Sequence, residues 1–138
     1  MSRSRGKSSA DLLDQLLAEA SWLLSHAQAL SDYGRQEEAA AEWARAAGCE
    51  EQVACLLEVA GREREAAIHR VSAASCSEKL GQHVRAVTLL RAALSVPLPD
   101  EYRGRAEQQL ARALSEVPKE VSRAFTPRPP RRQAPAVS

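Results

Sequence analysis

The stretch Tyr33-Gly34-Arg35-Gln36-Glu37-Glu38-Ala39-Ala40-Ala41-Glu42-Trp43-Ala44-Arg45-Ala46 aligns with Leu80-Gly81-Gln82-His83-Val84-Arg85-Ala86-Val87-Thr88-Leu89-Leu90-Arg91-Ala92-Ala93. In both, Ala stands five residues after Gly, a large apolar residue nine after it and a second Ala twelve after it. Those intervals put Ala39, Trp43 and Ala46, and again Ala86, Leu90 and Ala93, on one face of a helix that starts just past a glycine turn. Small Ala lets a neighbouring helix come close, and the large residue fills the gap beside it. Short links at Gly34, Gly61 and Gly81 force the helices they join to run antiparallel.

Working outward from these links, the periodicity predicts five helices. The first runs from Ala10 to Ser31, with Leu13, Leu16, Leu17, Ala20, Leu23, Leu24, Ala27 and Leu30 in phase and Ser8 followed by Asp11 as a capping box. The second starts near Arg35 and keeps its phase across Gly48 to Ala60. A single Gly costs only ~1 kcal/mol inside a helix, so one long helix is expected rather than two short ones. The third covers Glu63 to Leu80, with acids in its first turn where the helix dipole favours them. The fourth covers Gln82 to Ser95. The fifth begins at Pro99 with Asp100 and Glu101 behind it, and carries Tyr102, Ala106, Leu110, Ala113, Leu114 and Val117 as its stripe.

Composition agrees. The chain holds 26 Ala and 16 Leu against 9 Val and 1 Ile, and aromatics are 4%, a bias that suits helices and not strands. Charge is unevenly placed: residues 1–9 sum to +3 and residues 117–138 to +4, which leaves −6 for residues 10–116 out of a total of +1. All seven prolines lie from Pro97 onward. The expected organisation is therefore a disordered basic N-terminus at 1–9, a helical domain at 10–117 and a disordered Pro/Arg-rich tail at 118–138. No apolar run reaches the roughly 20 residues of a membrane span, and no apolar segment behind the N-terminus suggests a signal peptide. Cys49, Cys55 and Cys76 read as reduced thiols of a cytoplasmic protein.

Little in the chain points to catalysis. His69, Cys76 and His83 are spaced by sevens, too far apart on a helix to share an ion, and a zinc site needs four converging ligands. Cys49 and Cys55 face different directions. There is no phosphate-cradling glycine loop and no nucleophile set beside Ser25-His26 or His69. No catalytic residue, cofactor or metal is expected. Trp22 and Trp43 read as core or half-core side chains. In the tail, Pro127-x-x-Pro130 followed by Arg132 has the form of a polyproline docking motif, but a solubilising tail fits the same residues.

The matched stretches resemble the tetratricopeptide repeat (TPR), over about residues 20–51 and 67–99. The bulky signature positions of that family's first helix fall on Leu23, His26, Ala27 and Leu30, then on Arg70, Ala73, Ala74 and Ser77. The copies lie 47 residues apart rather than roughly 34. The resemblance implies a short all-α, TPR-like solenoid or bundle of helix hairpins that acts as a protein-binding scaffold or adaptor. It also implies that the first helix of each unit lines the binding face, through Ser21, Leu24, Gln28, Ser31 and Asp32, then Ile68, Val71, Ser75, Glu78 and Lys79. This set has no Lys/Arg clamp, so an extended or helical segment of another protein, held by apolar contact, is the expected partner. A homodimer through the long first hairpin is a further option. The competing reading is a basic-tailed accessory protein with weak, sequence-blind nucleic-acid contacts, which the acidic body disfavours.

Overall fold

A computed structural model describes residues 8–126; the expectations for residues 1–7 and 127–138, the polyproline motif included, lie outside them. The described residues form an all-α bundle of α1 (Ser9–Asp32), α2 (Gln36–Val59), α3 (Glu63–Lys79), α4 (His83–Leu94) and α5 (Asp100–Phe125). Each helix packs on its neighbours in sequence, and α5 also touches α3.

The capping box opens α1: the Ser8 hydroxyl accepts from the Asp11 N–H at 3.2 Å, and the Asp11 carboxylate accepts from the Ser8 N–H. Leu16, Ala20, Leu23, Ala27 and Leu30 of α1 then pack on Ala39, Trp43, Ala46, Val53 and Leu57 of α2, with Ala66 and Cys76 of α3 closing this first core. A second core joins Ala73 and Ala74 of α3 to Val87, Leu89 and Leu90 of α4 and to Ala106 and Ala113 of α5. Alanine at nine of these nineteen positions keeps the helices close. Gly48 lies inside α2, which is continuous over 24 residues. The long α2, against a 12-residue α4, accounts for the wide spacing of the two matched stretches.

The three tight links are one device used three times. Gly34, Gly61 and Gly81 have φ of 78°, 78° and 73°. After each, the next N–H donates to the carbonyl five residues back: Arg35 to Leu30 at 2.9 Å, Arg62 to Leu57 at 2.8 Å and Gln82 to Ser77 at 2.8 Å. The glycine N–H groups donate to Ser31, Glu58 and Glu78, so carbonyls at each helix end are satisfied by a Schellman turn. The sequence match singled out Gly34 and Gly81. Gly61 is their equivalent, followed by Ala66 and Ala73 at the same intervals but with Arg70 in place of the large apolar residue. The glycine–alanine pattern therefore marks every tight helix-to-helix turn, not one turn in each pair of helices.

The C-terminal boundary differs from expectation. Helix α5 passes Val117 and runs to Phe125 with Pro118 inside it. Proline in a helix interior costs ~3 kcal/mol because it has no N–H to donate and its ring crowds the preceding turn. Tertiary contacts hold the segment beyond it. The Glu120 carboxylate accepts the backbone N–H of His83 and, at 3.3 Å, that of Val84. The N-cap residue of α4, Gln82, makes no side-chain cap of its own, so the end of α5 supplies the acceptor that the start of α4 lacks. At the other end Ser9 already belongs to α1, one residue before the expected start of the helical domain.

Candidate protein-binding face

The ten positions expected to bind a partner divide into two groups. On α1, Ser21, Gln28 and Asp32 are exposed, and Gln28 Nε2 donates to Asp32 Oδ1 at 2.9 Å. Ser31 is half-buried and engaged by the Gln36 amide, which donates to its carbonyl at 3.1 Å. Leu24 is half-buried against the first core. On α3, Ile68 is half-buried and Val71 packs against the core that α4 and α5 share. Leu24 and Val71 are thus partly structural.

The rest of the α3 group faces α5. The Gln109 amide donates to Ser75 Oγ at 3.0 Å and to a Glu78 carboxylate oxygen at 2.9 Å. Ser75, Glu78 and Lys79 line an open groove of about 460 Å³, and Arg112 of α5 forms its other wall. Lys79 stays exposed while its ammonium sits 4.8 Å above the centre of the Trp43 ring, a cation–π contact. Among the described residues the α1 and α3 backbones do not come close, and no α1 residue lines the α3–α5 groove, so the α1 row and that groove are separate surfaces. The sequence reading missed Gln109 and Arg112. A glutamine amid the apolar positions Ala106, Leu110 and Ala113 was the signal for the first; nothing in the sequence pointed to Arg112.

No family model, curated protein or solved structure matches this chain. Its chemistry must be read from its own side chains.

The titratable groups are arranged for packing. His69 Nδ1 lies 2.6 Å from Glu50 Oε2, and Glu50 is buried; the pair ties α3 to α2. Cys76 lies in the first core. Burial first, and then the charge of Glu50, push its thiol up to about 12. Burial first, and then Glu19, also raise Cys49 above its usual value. Neither thiol is a thiolate nucleophile at neutral pH. His83 begins α4, and among the described residues no three His, Cys, Asp or Glu side chains converge as a metal site would require.

Trp22 departs from expectation. It is 58% exposed and stacks on His26 at 4.6 Å between ring centroids. It lies about 100° round the helix from Leu23, on the outer side of α1. Two further grooves lie elsewhere on the bundle. One, of about 670 Å³, runs between α2 and α4 over Ala44, Gly48 and Ser77, and an ion pair from Arg85 to Glu51 ties its walls together. The other, of about 460 Å³, is lined by Leu12, Leu16, Cys55 and Leu56. Neither contains any of the ten expected positions.

Proposed function

We propose that this chain is a non-catalytic scaffold of tetratricopeptide-like type that holds an extended segment of another protein. The observation that carries the reading is the α3–α5 groove, in which three expected residues, Ser75, Glu78 and Lys79, meet Arg112 across an open channel. The groove carries the cations Lys79 and Arg112 against one carboxylate, Glu78, which already accepts from Gln109. A segment carrying carboxylates suits that edge better than the purely apolar contact expected from α1 and α3 alone. The nucleic-acid reading gains nothing from the first hairpin, where ten acids between residues 9 and 59 face only Arg35 and Arg45.

Selection of a displayed peptide library on the full chain tests this. The enriched peptides should carry Asp or Glu. They should lose at least tenfold in affinity, about 1.4 kcal/mol, for Arg112→Glu and for Lys79→Glu, both at exposed positions, with the helical circular dichroism signal retained. Peptides that bind both variants as well as the original chain would show that the groove is not the site.

A further inference from the structure

The last helix of the bundle leaves an apolar stripe uncovered. Helix α5 packs inward through Ala106, Gln109 and Ala113. To one side of that arc, Ala111, Leu114, Pro118, Val121 and Phe125 follow at alternating intervals of three and four residues, and all are exposed. Leu114 and Val121 are 42% exposed and Phe125 83%. The same row carries Glu107 one step upstream, so the stripe begins at Ala111. A helix that ends a stacked array ordinarily turns a polar face outward, which keeps the array soluble. Over its second half α5 keeps its outermost face polar, through Arg112, Ser115, Lys119 and Ser122, but leaves this apolar row on one flank, with the a/d period by which paired helices interlock.

We propose that this stripe is a dimer interface, in which two copies of the chain pack α5 against α5 in antiparallel fashion about a two-fold axis near Pro118. The row is self-complementary in that direction. Phe125 meets Ala111 of the second copy, Leu114 meets Val121, and Pro118 meets its own equivalent, so the largest side chain faces the smallest at both ends. The charge pattern selects the same occupant. Ser115 and Ser122 flank the seam on one side and Leu110, Val117 and Ala124 on the other. Two identical helices approach with no like charges in contact, whereas a charged partner helix finds no flanking group to pair with. Arg112, Glu116, Lys119 and Arg123 lie outside these flanks, and Arg112 belongs to the α3 groove.

A two-fold contact uses the same patch on both chains. Fifteen residues of helix span only ~22 Å, and the interface falls below the roughly 1,200–2,000 Å² of stable complexes. The dimer is accordingly weak and concentration-dependent. It sits apart from the α3–α5 groove, so its failure leaves the segment-binding proposal standing.

Sedimentation velocity on the full chain, from roughly 10 μM to roughly 1 mM, should show the mass rising from one chain towards two. Leu114→Glu and Val121→Glu, each at an exposed position, should weaken association at least tenfold while the helical circular dichroism signal is retained. Direction is read separately in a Cys55→Ser background. A mixture of Ala111→Cys and Phe125→Cys chains should oxidise to the mixed disulfide dimer, and neither variant alone should cross-link. A chain that stays monomeric across the range overturns the proposal. So does a dimer that survives both Glu variants, which would move the contact to another face such as the first hairpin. Like-with-like cross-linking overturns the antiparallel arrangement.

Discussion

At the residue scale, the two tryptophans separate phase from type. Trp43 is 6% exposed beneath Lys79, and Leu90, its counterpart on α4, is fully buried. Both were legible, because the glycine-to-alanine spacing put them on packed faces. Trp22 was legible too: the phase that turns Leu23 inward turns Trp22 outward, against the burial that its size alone suggests. In denaturant unfolding, Trp43→Ala should cost ~3–5 kcal/mol and Leu90→Ala ~2–5 kcal/mol. Trp22→Ala should stay within ~0.5 kcal/mol of the original chain. Equal losses from Trp22 and Trp43 would mean that α1 is rotated. Cys76 gives a pH signature. An unfolded thiol ionises near 8.5, while the folded one holds its proton to about 12. Above pH ~8.5 the unfolded state therefore binds fewer protons, and stability falls as pH rises, by at most ~1.4 kcal/mol per pH unit. The loss stops once the pH passes the folded value. The melting temperature should drop more steeply between pH 8.5 and pH 11 for the original chain than for Cys76→Ala, and parallel curves would count against the buried thiol.

At the element scale, glycine does two different things in this chain. At Gly34, Gly61 and Gly81 the backbone is left-handed, and a side chain there costs about 1–2 kcal/mol. At Gly48 the backbone is helical, and an added Cβ meets nothing within 4 Å. Gly34→Ala, Gly61→Ala and Gly81→Ala should each destabilise by ~1 kcal/mol, while Gly48→Ala should stabilise by about 0.5–1 kcal/mol. Urea midpoints that move the same way at all four positions would contradict the three shared turns. The periodicity made the number of helices and the continuity of α2 readable, because both depend on local spacing. The length of α5 was not readable. Pro118 is a local signal to stop, and part of what opposes it is Glu120 reaching a helix start 37 residues away in sequence. No local pattern carries that contact.

At the scale of the whole molecule, the proposed groove was half legible. The resemblance drawn from the glycine–alanine spacing singled out Ser75, Glu78 and Lys79, but only the fold brings α5 alongside to supply Arg112 and to engage Ser75 and Glu78 through Gln109. The fifth helix is thus more than a terminal lid, since it builds one wall of the groove with its first half and caps α4 with its second. The boundary expected at Val117 would have assigned that second half to a disordered tail. Two truncations decide the matter. Removal of 127–138 leaves every described helix entire. Removal of 118–138 takes away Glu120 and strips the first N–H groups of α4 of their acceptor. A lost N-terminal cap costs about 0.5–2 kcal/mol, and the packing lost with the end of α5 adds to it. The shorter chain should therefore unfold at a lower denaturant midpoint than the longer one, by at least the value of the cap. Glu120→Ala in the full chain should reproduce the cap's share of that loss, while Glu120→Gln, which keeps a carbonyl acceptor, should recover part of it. Coincident midpoints for the two truncated chains would show that the helix beyond Pro118 adds nothing to stability and that Val117 is the working end of the domain.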